Sequence, residues 1–221
     1  MTHKAPEILS VLTGTIALFR APDEPSAIGK QPRTGPIAIG PLGLAGDEQA
    51  DLTVHGGVDK AVHHYPLDHY PAWRGEIGDH PLLGSPGAFG ENISTLGLLE
   101  SEVCIGDRFR LGTALVELSQ GRQPCWKIDH HFGRKGMTAR VVETRRSGWY
   151  YRVLETGVVQ AGDTMALLKR PLPEWTVART FGLLICGLGK HDPAALRALA
   201  CMPVLAASWR DKAARTLAQL R

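Results

Sequence analysis

Short apolar stretches alternate with turn-forming residues through roughly the first 170 residues of the chain. Many of the apolar side chains are β-branched, and 25 glycines and 15 prolines fall mostly between the stretches. This pattern is typical of the short strands of a sandwich or a barrel. We therefore predict strands at Ser10–Phe19, Pro36–Ile39, Asp51–Val54, Ala61–Tyr65, Ala114–Ser119 and Thr164–Leu168.

A Gly-Asp pair precedes apolar segments at residues 46–47, 106–107 and 162–163. Glycine can adopt a positive φ at a tight turn, and an aspartate side chain can accept a hydrogen bond from the backbone two residues on. The last two pairs open the strand-like segments Arg108–Leu111 and Thr164–Leu168, so we interpret them as corners of a barrel.

The pattern changes to a helical period after Arg170. Val177, Phe181 and Leu184 fit one face of a first helix, and Asp192 followed by proline predicts the start of a second. We expect a third helix to start at Pro203, and two helices within the barrel near Leu67–Ile77 and Thr138–Thr144. The prediction is a mainly β fold with α, in which a β-barrel (1–170) is followed by a small three-helix bundle (171–221).

Composition narrows the class of protein. Hydrophobic residues make up 43% of the 221 residues and charged residues 21%, as in an ordinary globular protein. The net charge of +3 is too balanced to indicate nucleic-acid binding, although 171–221 carries seven Lys/Arg and three Asp/Glu. No apolar stretch approaches the about 20 residues of a membrane span, and no apolar run follows Met1–Pro6 as in a signal peptide. We expect a cytoplasmic protein without a membrane or nucleic-acid partner.

Several common motifs are absent from the sequence. Gly187–Lys190 resembles a phosphate loop, but His191 follows the lysine where a Walker A motif needs Ser or Thr. No GxGxxG, flavin-binding or iron–sulfur motif is present, and the histidine pairs lack an HExxH pattern. Four cysteines without a CxxC pair disfavour a disulfide scaffold and a zinc knuckle.

Polar and glycine residues concentrate between Gly43 and Lys60, in the sequence GLAGDEQADLTVHGGVDK. After His55, the Gly56-Gly57 pair can expose successive backbone N–H groups as an anion-binding nest, to which Lys60 would add positive charge. The alternative is a polar barrel turn with solvated charges. A second segment contains Glu91 and Asn92 next to Gly90; this pair either orients a ligand or joins a loop to the barrel.

The segment Gln120–Lys127, QGRQPCWK, contains the one cysteine with a reactive setting. Arg122 and Lys127 flank Cys125, and Pro124 fixes the chain just before it. Nearby cations favour the thiolate, which is the better nucleophile and metal ligand. The alternative is a cysteine packed in the core, and we expect that for the other three cysteines, Cys104, Cys186 and Cys201.

Taken in order, these segments and GWYYRVLETG resemble the MOSC (molybdenum cofactor sulfurase C-terminal) domain family over roughly 30–170. The resemblance is greatest to its small stand-alone bacterial members, which are linked to resistance against 6-hydroxylaminopurine and carry three C-terminal helices. It implies a β-barrel and a molybdenum cofactor (molybdopterin), with the Cys125 thiolate as molybdenum ligand. A thiolate is a soft ligand that suits such a centre.

The resemblance also implies site residues. We expect Cys125 and Arg122 to be catalytic and the cofactor to be held by Lys30, Arg33, His55, Gly56, Gly57, Lys60, Glu91, Asn92 and Lys127.

Three functions stay open at this point. One is a molybdenum-dependent reductase of small N-hydroxylated compounds, with electrons from a separate redox protein. Another is a sulfur carrier that holds a persulfide on Cys125 and receives sulfur from a pyridoxal-phosphate-dependent cysteine desulfurase. The third is a non-enzymatic binding module that docks through its basic tail. The sequence does not predict an oligomeric state.

Overall fold

The computed structural model describes residues 5–20, 22–51 and 56–220. Within these ranges the chain forms thirteen strands and six helices. The strands are β1 (Ile8–Thr13), β2 (Ala17–Arg20), β3 (Glu24–Ser26), β4 (Gln31–Pro32), β5 (Ile37–Gly40), β6 (Gly43–Leu44), β7 (Val62–Pro66), β8 (Ile93–Thr95), β9 (Arg108–Leu111), β10 (Ala114–Gly121), β11 (Trp149–Glu155), β12 (Gly157–Val159) and β13 (Met165–Lys169). The helices are α1 (His69–Ile77), α2 (Lys127–His131), α3 (Met137–Thr144), α4 (Val177–Leu184), α5 (Pro193–Ala200) and α6 (Ala207–Ala218).

The central sheet has eight strands in the order β13-β9-β10-β11-β7-β8-β1-β4. Its pairs are antiparallel except for β7 and β8, which run parallel. The start of β1 also bonds to the start of β13, through Ile8 N–H to the Asp163 carbonyl (2.8 Å) and Met165 N–H to the Pro6 carbonyl (2.8 Å). The sheet therefore curls back on itself as a partly closed barrel, and the predicted mainly β fold with α is confirmed.

The helices after Arg170 pack on the barrel rather than apart from it. Phe181 of α4, Leu196 of α5 and Trp209 of α6 belong to the same hydrophobic core as Leu118 of β10 and Trp149 of β11. Gly121, at the end of β10, lies directly under α6, because an added Cβ would stand 2.9 Å from the Trp209 ring. The division of the chain at residue 170 stays a prediction.

Two of the predicted elements differ from the structure. The predicted strand Ser10–Phe19 is two strands, because Gly14 N–H bonds to Asp47 Oδ1 (2.8 Å) and turns the chain between them. The third helix of the tail begins at Ala207 and not at Pro203. Ala206 N–H donates to the Ser119 carbonyl of β10 (2.9 Å), which holds the preceding residues extended.

The other predicted helices and strands lie within a few residues of their predicted places. Asp192 caps α5 by accepting a hydrogen bond from Ala195 N–H (2.9 Å), as its pattern predicts. Gly106 and Gly162 adopt positive φ at the predicted corners. Residues 52–54 of the predicted strand Asp51–Val54 lie outside the described residues. In the described ranges, no helix is long and apolar enough to cross a membrane.

Candidate functional site

Cys125 lies in the loop that joins β10 to α2. Its carbonyl accepts hydrogen bonds from the Thr138 hydroxyl (3.0 Å) and from Ile128 N–H (3.1 Å). Asp129 in turn accepts from the backbone and the hydroxyl of Thr138, both at 2.6 Å. The backbone of this loop is thereby fixed to α2 and α3, while the Cys125 side chain stays partly exposed.

Two clefts meet at Cys125. The first has a volume of about 630 Å³ and lies against β7 and the loop before β8. The second has a volume of about 880 Å³ and lies against α6. Lys60, Cys125 and Tyr150 line both clefts, so a group bound at the thiol can be reached from either side.

Asp47 organises the first cleft. Its carboxylate accepts hydrogen bonds from the Lys30 ammonium (2.6 Å), Asn92 Nδ2 (2.9 Å) and Gly14 N–H (2.8 Å). Burial lowers the pKa of Lys30, and the negative charge of Asp47 offsets part of that effect. Lys30 thus reaches the cleft as predicted, but as half of a buried ion pair.

His63 lines this cleft, and one of its ring nitrogens is buried next to Gly148. Its Nδ1 lies 3.1 Å from the Gly90 carbonyl, which can only accept, so the proton is on Nδ1. Nε2 is then an acceptor, buried and without a hydrogen-bond partner among the residues that the structure describes. Burial and the nearby Arg122 charge hold the pKa of His63 well below its usual range, so the imidazole is neutral.

Arg122 and Tyr150 complete the wall next to the thiol. Arg122 is buried, and its backbone N–H bonds to the Gly148 carbonyl (3.0 Å). Burial raises the pKa of the Tyr150 phenol, and the adjacent guanidinium only partly offsets this. The Tyr150 ring also packs 5.0 Å from the His63 ring. A protonated phenol and a fixed cation therefore stand beside Cys125.

Lys127 lines the first cleft but faces the β2–β3 hairpin. Its ammonium donates to the Pro25 carbonyl (2.8 Å) and pairs with Glu24 (3.4 Å). Asn92 is similarly engaged, because its amide donates to Leu12 and Asp47 and its oxygen accepts from His63 N–H (3.0 Å). For Asn92 these contacts match the predicted alternative, a residue that joins a loop to the barrel.

Other predicted cofactor residues lie away from the cleft. Glu91 is fully buried and accepts from Gly87 N–H (2.7 Å), Phe89 N–H (3.0 Å) and the Tyr70 hydroxyl (2.8 Å), so it shapes the loop and does not reach the cleft. Arg33 is exposed and lines neither cleft.

The predicted glycine nest is only partly described. Gly57 starts a 3₁₀ turn, Val58–Lys60, and its carbonyl accepts from Lys60 N–H (2.9 Å). Neither Gly56 nor Gly57 lines a cleft. His55 lies outside the described residues.

The other three cysteines are predicted to be buried, and the structure confirms this for only part of the set. Cys104 is buried as predicted, and Cys186 is half-buried with its thiol donating to the Val142 carbonyl (3.3 Å). Cys201 is exposed, so the prediction of a buried residue is wrong there. It follows the last turn of α5, where the chain leaves the apolar face of the helix.

A sequence profile of the MOSC domain matches residues 51–166, just over half of the chain. The chain belongs to the MOSC family. Protein YiiM of Escherichia coli (strain K12) is 43% identical over 162 residues, 73% of this chain and 72% of that protein. A Gibberella moniliformis protein named "Reductase" is 45% identical over 153 residues, 69% of this chain but only 27% of that protein. The crystal structure of YiiM from Geobacillus stearothermophilus has a TM-score of 0.81 at 32% identity, covering 96% of this MOSC protein and 99% of that chain.

The residues of the first cleft fit the cofactor with which MOSC domains are associated. Cys125 offers a soft sulfur donor for molybdenum. Arg122 lines the same cleft as Cys125 and contributes a positive charge to it.

Sequence reasoning missed Asp47, His63 and Tyr150 as parts of this site. Adjacent strand residues point to opposite faces, and Trp149 and Tyr151 are buried, so Tyr150 could have been placed on the cleft side. His64, the neighbour of His63 on β7, bonds instead to the Thr95 hydroxyl (2.9 Å) and the Tyr151 hydroxyl (3.2 Å), as expected for adjacent residues on opposite faces of a strand. Asp47 lies in the polar segment Gly43–Lys60, but the segment alone does not show its role, because Lys30, Gly14 and Asn92 lie 17 to 45 residues away.

Proposed function

We propose that this MOSC protein binds the molybdenum cofactor in the first cleft, with the Cys125 thiolate on molybdenum, and reduces small N-hydroxylated compounds in the cytoplasm. The observation that carries the proposal is the meeting of two clefts at one partly exposed thiol. A retained cofactor and an exchanging substrate need separate approaches to the same centre. The name of the Gibberella relative, "Reductase", supports a reductive activity.

The cofactor would be held by Cys125 through sulfur and by the polar groups of the first cleft. Arg122 would balance negative charge near the metal. When bound, the cofactor would supply the two-electron reduction. Asp47 has a positioning role, since it fixes Lys30 and Asn92 at the wall.

The reaction breaks the N–O bond of the substrate. One hydroxylamine takes up two electrons and two protons, and gives one amine and one water. We assign the electrons to a separate redox protein. Tyr150 and Lys60 line both clefts, so they can donate hydrogen bonds or protons to the departing hydroxyl oxygen. Burial lowers the pKa of Lys60, which makes its ammonium a better acid.

Molybdenum and pterin content of Cys125→Ser tests the proposal, with Cys201→Ser as the matched control. Both variants are purified from a host that makes the cofactor. We expect Cys125→Ser to lose bound molybdenum to background, because a protonated hydroxyl is a poor ligand for a thiolate site. Cys201→Ser should keep it, since that thiol is exposed and outside both clefts. Melting temperatures are compared on apo-protein, since a bound cofactor stabilises by mass action.

Equal molybdenum in wild type and Cys125→Ser would contradict the proposal. The sulfur-carrier alternative has its own outcome: incubation with a cysteine desulfurase would add the mass of one sulfur to the Cys125 peptide. If the wild type gained this mass and held no molybdenum, the protein would be a sulfur carrier and not a reductase.

A further inference from the structure

The proposed function places the cofactor in the first cleft, which leaves the second cleft for another ligand. It lies between the Gln120–Cys125 segment and α6. Three cationic side chains line it, Lys60, Lys212 and Arg215, and no carboxylate is found among its described lining residues. Lys60 also interacts with the charges of Asp59 and Asp51, so the positive charge of this cleft comes mainly from Lys212 and Arg215 on α6.

Lys212 and Arg215 form the centre of this charge. They are three residues apart on α6, which places them on the same face of the helix. Burial, and then the charge of Arg215, lowers the pKa of Lys212. Lys212 contacts only the neutral Gln123 amide oxygen, at 3.4 Å, among its described polar neighbours. The two positive charges repel each other, and no carboxylate of the described lining lies between them. An anion bound between Lys212 and Arg215 would relieve this repulsion, which favours its binding.

We propose that the second cleft binds a phosphate monoester group of the substrate, so that the N-hydroxylated compound is taken as its phosphate ester, for which a nucleotide is the probe. A phosphate carries up to two negative charges and three terminal oxygens, which matches two adjacent cations better than a single carboxylate does. Ser208 and Gln123, both exposed, add polar groups at the edge of the cleft. The inference rests on the proposed function for the identity of the reacting group at Cys125.

The two clefts differ in how exposed their cationic side chains are, and this difference favours a substrate phosphate over the cofactor phosphate in the second cleft. Arg215 and Ser208 are exposed, whereas Arg122 and the Lys30–Asp47 pair in the first cleft are buried. A ligand that enters and leaves in every turnover needs the exposed position. A cofactor that stays bound is better held by the buried one.

Calorimetric titration of apo-protein with adenosine 5′-monophosphate and with adenosine tests the proposal. The two probes differ only in the phosphate. We expect the monophosphate to bind at least tenfold more tightly to the wild type, and Lys212→Ala and Arg215→Ala each to weaken it about three- to tenfold. Adenosine binding should not change. Arg210→Ala is the matched control, because it removes the same charge from α6 outside both clefts.

Equal affinity for the two probes, or equal loss in Arg210→Ala, would overturn the phosphate site. Molybdenum content is measured on the same variants loaded with cofactor. If Lys212→Ala and Arg215→Ala lost molybdenum, the anion would be the cofactor's own phosphate, and the assignment to substrate would be wrong. The titration needs no molybdenum. It therefore tests the phosphate site even if Cys125 does not bind the cofactor.

Discussion

The two clefts that meet at Cys125 differ in how their charges are balanced. In the first cleft, the Lys30 cation is paired with Asp47 and the Lys127 cation with Glu24. In the second, Lys212 and Arg215 face the cleft without a carboxylate among its described lining residues. Paired charges fix geometry, because each group has a defined partner. Unpaired like charges leave a field that an anion can neutralise.

The origin of the two clefts in the chain explains this difference. The first is built by loops from distant parts of the barrel, where Lys30 and Lys127 have carboxylate partners and the buried Arg122 guanidinium bonds to the Phe89 carbonyl (3.5 Å). The second is formed where α6 covers the end of β10, and its cations lie near solvent. One cleft is therefore suited to hold a group and the other to exchange one.

The largest expected effect comes from Asp47→Ala. This change leaves the Lys30 ammonium buried without its partner, which destabilises a protein by about 3–5 kcal/mol. Urea unfolding of the apo-protein measures the loss. The variant should also hold less molybdenum, because Asn92 loses a contact at the wall of the first cleft. Binding of adenosine 5′-monophosphate to the folded fraction should be unchanged.

Two further variants control this result. Glu155→Ala removes a carboxylate from the exposed pair with Arg110, and such surface pairs contribute about 0–1 kcal/mol. The double variant Lys30→Met/Asp47→Ala should recover much of the lost stability, since no buried charge remains. A parallel fall in monophosphate affinity in Asp47→Ala would show that the two clefts do not act separately.

The range over which a contact acts along the chain decides whether the sequence alone predicts it. Alternating apolar positions and the residues Asp192-Pro193 were enough to place strands and a helix start, because these signals act within a few residues. Cys125 and Arg122 stand out for the same reason. The Asp47 ion pair depends on contacts with segments 17 to 45 residues away, so only the folded barrel reveals it.

The second cleft could not be predicted from the sequence, because it also depends on contacts between distant parts of the chain. The basic tail was visible as a charge surplus, but solvated helix faces have the same composition. Its position next to Cys125 depends on Trp209 packing over Gly121, a contact across 88 residues of chain. The sequence shows neither the packing nor the approach of Lys212 to Gln123.

Acid pH should destabilise the wall of the first cleft through β7. Burial lowers the pKa of His64 to about 3, against about 6.5 for an unperturbed histidine. The unfolded chain then binds more protons than the folded one between these values, so stability is fully present above about pH 6.5 and falls as pH drops toward 3. For His64 the loss is on the order of 3 kcal/mol at pH 4. No histidine or carboxylate is among the described lining of the second cleft.

Unfolding free energies of His64→Gln between pH 4.5 and 6 measure this contribution. The variant should show a slope that is smaller by about 1.4 kcal/mol per pH unit, whatever its stability at neutral pH. His191→Gln removes an imidazole from the surface and is the control, with an expected slope equal to that of the wild type. A wild-type slope in His64→Gln would mean that the buried imidazole does not carry the effect.

The smallest change should act on the second cleft alone. In Gly121→Ala the new Cβ would stand 2.9 Å from the Trp209 ring and 3.3 Å from Val177 Cγ1, so the Trp209 ring must move, and we expect α6 to move with it. Overpacking of this kind destabilises by about 1–3 kcal/mol. Because α6 carries Lys212 and Arg215, affinity for adenosine 5′-monophosphate should fall, while molybdenum content stays at the wild-type level. Gly29→Ala, where a Cβ meets no atom within 4 Å, is the matched control. Loss of molybdenum together with the phosphate in Gly121→Ala would mean that one continuous site, and not two clefts, surrounds Cys125.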